Sequence, residues 1–138
     1  MNMNKAQVCV IPVESDLDIV AARVEGRNLA REMGFGTIDQ ARIATAISEL
    51  ARNIVLYAES GCITIRVIET NEGHTGLEIL CEDQGPGIPD LALAQQDGYS
   101  TSSGLGMGLP GTKRLMDEFH IESELNVGTK VLVRKWLR

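Results

Sequence analysis

The chain has 138 residues, 43% of them hydrophobic, and carries 13 Lys and Arg against 19 Asp and Glu for a net charge of −6. That size reads as one globular domain over residues 1–138 with a single core. The acidic balance argues against a nucleic-acid partner or an anionic membrane surface, but it leaves room for a nucleotide, because backbone N–H groups and Mg2+ hold phosphates without a basic surface.

The opening segment, Gln7 to Val13, alternates and is rich in β-branched residues, which predicts a strand. Ser15-x-x-Asp18 has the form of a capping box. A helix follows to about Met33, with Leu17, Val20 and Val24 on one face, and Gly34-Phe35-Gly36 ends it. Thr37-x-x-Gln40 reads as a second capping box, ahead of a helix whose Ile43, Ile47, Leu50 and Ile54 form an apolar stripe. Cys62 to Glu69 and Gly76 to Cys81 read as antiparallel strands joined by Asn71-Glu72-Gly73-His74. Between Ile88 and Ser103 a short helix near Leu91 to Ala94 precedes a small, polar tract expected to be mobile. Met107 to Phe119 predicts a third long helix, with His120 closing it. Ile121 to Leu125 and Lys130 to Trp136 then read as closing strands around Asn126-Val127-Gly128. The expected architecture is an α+β two-layer sandwich, with a mixed, mostly antiparallel sheet covered on one face by three helices.

Cys9, Cys62 and Cys81 are odd in number and lie among apolar residues, as expected of buried free thiols in a reducing compartment. The polar N-terminus has no signal-peptide core and no run is long enough to span a bilayer, so the expectation is a cytoplasmic protein with no membrane partner.

Three polar signals stand out against this frame. Glu49 and Asn53 are four apart on a helix and share an edge beside the buried stripe. Such an edge suits a base and a metal ligand, or only solvent. Asp83 ends an apolar strand and opens Asp83-Gln84-Gly85-Pro86-Gly87. That pattern is either turn chemistry, with Asp capping its own backbone, or an acceptor for an adenine amino group with glycines that let the base approach. Gly104-Leu105-Gly106-Met107-Gly108 leads into a helix N-terminus, which suits an anionic phosphate. Gly106-x-Gly108-x-x-Gly111 also matches a dinucleotide fingerprint, and the same stretch resembles a P-loop. Neither reading holds, since no strand leads in and Thr112-Lys113 has the wrong order. Lys113 is placed to reach a phosphate or to remain a surface lysine. Thr129 is a β-former unless the fold brings it beside Asp83. His74 reads as a solvated loop residue, and Met116 and Met107 as packing.

Together these motifs resemble the GHKL ATPase superfamily, the Bergerat fold, over nearly the whole chain. Glu49 to Asn53 matches its N box, Asp83 to Gly87 its G1 box, Gly104 to Gly108 its G2 box and Gly128-Thr129 its last glycine-containing box. The resemblance implies that ATP and Mg2+ are bound. Asn53 would coordinate Mg2+, and Asp83, aided by Thr129, would accept from the adenine amino group. Gly85 and Gly87 would admit the base. A lid over about residues 88–108, ending in Gly104, Leu105, Gly106, Met107 and Gly108, would cover the phosphates with Lys113 nearby. Glu49 would be the general base on an acceptor hydroxyl. The tract Gly98 to Phe119 is similar to that of the serine-protein kinases that act as stressosome switches. That finer resemblance implies STAS-domain substrate and scaffold proteins, and release to a PP2C-type phosphatase or other output enzyme. The alternative within the same superfamily is an anti-sigma factor with kinase activity that sequesters a sigma factor.

Overall fold

The computed structural model describes residues 8–58, 60–87 and 105–138, with the backbone alone described for 105–108. In chain order the elements are β1 (Val8–Val13), α1 (Asp16–Met33), α2 (Thr37–Asn53), a π-helical turn (Ile54–Ala58), β2 (Gly61–Glu69), β3 (Thr75–Asp83), α3 (Leu105–Leu115), β4 (Glu118–Glu124) and β5 (Gly128–Trp136). The short helix expected near Leu91 to Ala94, the lid and Gly104 lie outside the described residues.

The five strands form one sheet in the order β1-β2-β3-β5-β4. Every pairing among the described residues is antiparallel, the antiparallel limit of the mostly antiparallel sheet expected. Register puts apolar side chains in rows on one face. Ile63, Cys81 and Val131 are paired across three strands, as are Ile65, Ile79 and Val133. Ile43, Ile47, Leu50 and Ile54 of α2 and its π-helical turn join these rows in the buried core, so the stripe read from the sequence is the central packing face.

The other sheet face carries a row of charges that satisfy one another. Arg66, Glu78, Arg134 and Glu118 lie in one cross-strand row. Glu78 is only 4% exposed and accepts from both Arg66 and Arg134. A carboxylate so buried without partners would cost several kcal/mol, and the two guanidinium groups offset that. Glu118 accepts from Trp136 Nε1 at 2.6 Å and from Arg134 at 3.1 Å. These bonds outweigh desolvation and hold its carboxyl below the usual carboxylate range. Burial raises Asp117, yet bonds from Arg138 and the Trp136 N–H overcome it and leave its carboxyl lowered too. Both groups titrate lower in the folded chain than in the unfolded one. Their stabilisation is therefore complete above about pH 4–5 and disappears as pH falls through their folded values. Thermal unfolding from pH 6 to pH 2 is expected to show a fall in Tm confined to the acid side, reduced in Glu118→Gln.

All three helices depart from the sequence reading. The capping box at α1 forms, with Asp18 Oδ2 accepting the Ser15 N–H at 3.2 Å, and Gly34 closes the helix at φ 102°. The buried face, however, is Ile19, Ala22, Gly26 and Ala30, while Leu17 is 80% exposed and Val20 and Val24 face outward. The reason is closeness of approach: Gly26 packs directly on Ile47 and Ile65, and only small residues let α1 settle there. At α2 the N-cap is Gly36 rather than Thr37. Gln40 instead donates through Nε2 to the Phe35 carbonyl at 2.8 Å.

The third helix ends at Leu115 instead of Phe119, and His120 lies exposed in β4 rather than at a helix end. Strand pairing overrides the helical pattern here. The Asp117 N–H donates to the Arg134 carbonyl at 2.9 Å, and Glu118 begins the β4–β5 ladder. Lys135, only 6% exposed, caps the shortened helix by donating to the Leu115 carbonyl at 2.8 Å. All three cysteines are free, but only Cys81 is buried; Cys9 and Cys62 are half-buried near the β1 edge of the sheet.

Candidate functional site: an apolar cavity at the end of β3

Asp83 is the last residue of β3, a strand flanked on both sides by partners. Its Oδ1 accepts the Gly85 N–H at 2.8 Å, so the carboxylate caps the turn that follows. Among the described residues Oδ2 receives no such bond and remains available as an acceptor. Both sequence readings of Asp83 are therefore compatible, one oxygen serving each.

The glycines around it permit close backbone contacts. A Cβ on Gly85 would stand 2.6 Å from the Cβ of Ala58, so the turn after β3 lies directly on the π-helical turn. Gly87, at φ 82°, meets the carbonyl of Glu124, and Pro86 accepts the Asn126 N–H at 2.9 Å. Gly128 has φ 146° and packs against the Asp83 carbonyl, where a Cβ has no room. Gly128→Ala is expected to cost about 2 kcal/mol or more in stability, because it meets both a left-handed φ and a backbone clash. A fall in the urea midpoint would report it.

Thr129 follows that glycine, and the β3–β5 register sets it directly opposite Asp83. The condition attached to Thr129 from the sequence is met by strand pairing. Its Oγ1 shares a 2.9 Å hydrogen bond with Ser123 Oγ, which orients the hydroxyl beside the carboxylate.

Asn53 ends α2, and one turn before it Glu49 occupies the same edge, half-buried. The helix then loosens into the π-helical turn, a feature that recurs at functional sites because it re-aims side chains. Here it carries Leu56, Tyr57 and Ala58 to the same place as Asn53 and Asp83.

These elements enclose a cavity of about 270 Å3. Leu50, Ile54, Leu56, Tyr57, Ala58, Cys81, Pro86, Gly87, Leu109 and Val131 make its largely apolar wall, and Asn53, Asp83 and Thr129 are its polar members. An apolar slot with a few convergent polar groups is the usual form of a small-molecule site. The Tyr57 hydroxyl is buried without a hydrogen-bond partner among the described residues, so it has capacity to bond a polar group in or beside the cavity. Burial, followed by the charges of Asp83, Cys62 and Glu82, pushes the Cys81 thiol far up. It stays protonated, within 3.7 Å of the Leu50 carbonyl, and acts as wall rather than nucleophile.

The residues singled out from sequence are thus partly gathered. Asn53, Asp83, Gly87 and Thr129 line the cavity, while Gly85 supports it from behind. Glu49 stands at its edge without lining it. Leu105, Gly106, Met107 and Gly108 form the backbone of the first turn of α3, whose Leu109 reaches the cavity. Lys113 is exposed on α3 and does not line it. Tyr57 was missed, although its position four residues after Asn53 continues the same helical edge. Cys81 was read only as a buried thiol and Leu109 and Val131 were not singled out, because nothing local distinguishes a core wall from a cavity wall.

The cavity offers apolar walls that suit a flat ring, an acceptor oxygen on Asp83, and the Thr129 hydroxyl beside it. Residues 38–138 match the family model of histidine kinase-, DNA gyrase B- and HSP90-like ATPases. The chain is 59% identical over 132 residues to the serine/threonine-protein kinase RsbT of Bacillus subtilis (strain 168), covering 96% of this chain and 98% of that one. It is 32% identical over 121 residues to the anti-sigma F factor of Geobacillus stearothermophilus, covering 83% and 81%. The fold matches the RsbU and RsbW domains of a Mycobacterium tuberculosis protein with a TM-score of 0.60 at 17% identity, over 94% of this chain and 33% of that one. It also matches a chain of the SiaB–SiaC complex from Pseudomonas aeruginosa with a TM-score of 0.54 at 14% identity, over 94% and 89%. By its family model and its near-full-length likeness to that kinase, the chain belongs to the histidine kinase-, DNA gyrase B- and HSP90-like ATPase family.

Proposed function

We propose that this chain is a serine/threonine protein kinase that transfers the γ-phosphate of ATP to STAS-domain proteins of a stressosome-type assembly, and that it then leaves to activate a PP2C-type phosphatase or other output enzyme. The observation that carries the reading is one helix edge: Glu49 and Asn53 stand a turn apart on α2, beside a cavity whose far members are Asp83 and Thr129. The 59% identity to a serine/threonine-protein kinase supports the transferase half of it.

In this reading the adenine lies in the apolar slot, with its amino group donating to Asp83 Oδ2 and Thr129 beside it. The phosphates would then lie toward Asn53 and the first turn of α3, where the backbone of Leu105 to Gly108 would meet the anionic groups. Lys113, one to two turns further along, adds positive charge. Asn53 would hold Mg2+ beside the phosphates, and the ion would supply positive charge to the transferred group. Glu49 takes the proton from the acceptor Ser or Thr hydroxyl as its oxygen bonds to the γ-phosphorus. The bond from that phosphorus to the bridging oxygen breaks, and ADP leaves with the electron pair. The site is assigned to a cytoplasmic protein; among the described residues no helix is long and apolar enough to cross a membrane.

Transfer of labelled phosphate from MgATP to a purified STAS-domain protein tests the reading. Phosphoserine or phosphothreonine on the acceptor is expected. Nucleotide binding without any transfer would remove the kinase assignment. A second reading, an anti-sigma factor with kinase activity, is supported by the 32% identity to an anti-sigma F factor. Co-purification from cells decides between them, a STAS assembly for the first and a sigma factor for the second.

A further inference from the structure

The edge of α2 that carries Glu49 continues away from the cavity. Ile38, Arg42, Thr45, Glu49 and Arg52 recur at intervals of four and three residues and so form a single line along the helix. Toward its N-terminal end the line borders an open groove between α2 and α3, lined by Ile38, Ala41, Arg42, Thr45 and Leu115 with Thr37 at its end. The groove is apolar along its floor, and Ile38 on its rim is 67% exposed. Arg42 is paired with Asp39 at 3.0 Å, whereas Arg52, next to Glu49 on the line, is exposed and makes no ion pair among the described residues.

We infer that this groove is a docking surface for the phosphoacceptor protein, which presents an apolar side chain to Ile38, Ala41 and Leu115 and an acidic side chain to Arg52. The inference rests on the kinase reading, because it takes Glu49 as the point the acceptor hydroxyl must reach. Area makes the case for a protein occupant. A stable interface buries about 800 Å2 on each partner, a disc of roughly 16 Å radius. Ile38 lies eleven residues before Glu49 on one straight helix, roughly 16 Å away at the α-helical rise. A protein whose hydroxyl is held at Glu49 therefore covers the line of α2 out to the groove. Arg52, which makes no ion pair among the described residues, stands beside Glu49 and suits an acidic neighbour on the acceptor.

Ala41→Arg fills the groove, and Ile38→Asp removes its apolar rim at an exposed helix N-terminus that tolerates a carboxylate. With a purified STAS-domain protein as acceptor and saturating MgATP, each variant is expected to raise the KM for acceptor about tenfold, the loss typical of one interface anchor. Affinity for MgATP and transfer at saturating acceptor stay unchanged. An unchanged acceptor KM in both variants overturns the inference. So does a rise produced only by Leu17→Asp, which places the charge on the outward face of α1 instead. If the wild-type chain binds MgATP yet transfers nothing, the kinase reading fails, and calorimetric binding of the same STAS-domain protein then judges the groove alone. Weaker binding by Ala41→Arg than by wild type upholds it; equal binding, or none by either, overturns it.

Discussion

Glu49→Ala is expected to lower phosphate transfer by about 10²–10⁴-fold and leave MgATP affinity within about twofold. The split follows from where the side chain stands. Glu49 is on the same edge of α2 as Asn53 but does not line the cavity, so its removal takes away the proposed base and none of the walls. It makes no hydrogen bond or ion pair among the described residues, so Tm should hardly move. Glu49→Gln keeps the size and removes the charge, and should lose transfer to a similar degree. Single-turnover transfer and nucleotide titration on the same preparations separate the two effects. Weakened nucleotide binding with normal transfer at saturation would make Glu49 a binding residue instead.

Asp83→Asn is expected to weaken ATP binding by about 10–100-fold, the range for one hydrogen bond to a charged acceptor. The geometry makes this nearly isosteric change severe. One carboxylate oxygen is already engaged by the Gly85 N–H at 2.8 Å. In the variant the amide oxygen keeps that bond, and the amide NH2 takes the place of the free oxygen. A donor then faces the donor of the adenine amino group. A base carrying a carbonyl at that position no longer meets a negative charge, so the preference for ATP over GTP should narrow. Titration with both nucleotides measures it. An unchanged preference would place the adenine amino group elsewhere in the cavity. Thr129, opposite Asp83, should show a smaller effect on substitution to Val, since its hydroxyl is shared with Ser123.

Several elements of this arrangement were legible residue by residue. Helical repeat alone sets Glu49 and Asn53 on one edge and Ile43, Ile47, Leu50 and Ile54 on the adjoining one, and the latter four are buried. The Asp83 turn was legible as one of two readings because a carboxylate two residues before a glycine is well placed to accept that residue's N–H. Other features were not. Leu17, Val20 and Val24 are as periodic as any core stripe, yet they face outward because Gly26 and the alanines allow the closer packing. The pattern from Met107 to Phe119 is helical throughout, yet its last residues pair with β5.

Spacing along the chain, then, determined which side chains share an edge and which short stretches turn, because the helical repeat and the Asx turn are properties of neighbouring residues. It placed Glu49, Asn53 and Asp83 in order along 138 residues, and the family resemblance supplied the roles proposed for them. Only the tertiary structure decided that Thr129 stands across from Asp83, that a π-helical turn delivers Tyr57, and which face of α1 is core. Those outcomes depend on strand register and on how closely two helices approach. Both are set by contacts between segments far apart in sequence, and no local pattern encodes them.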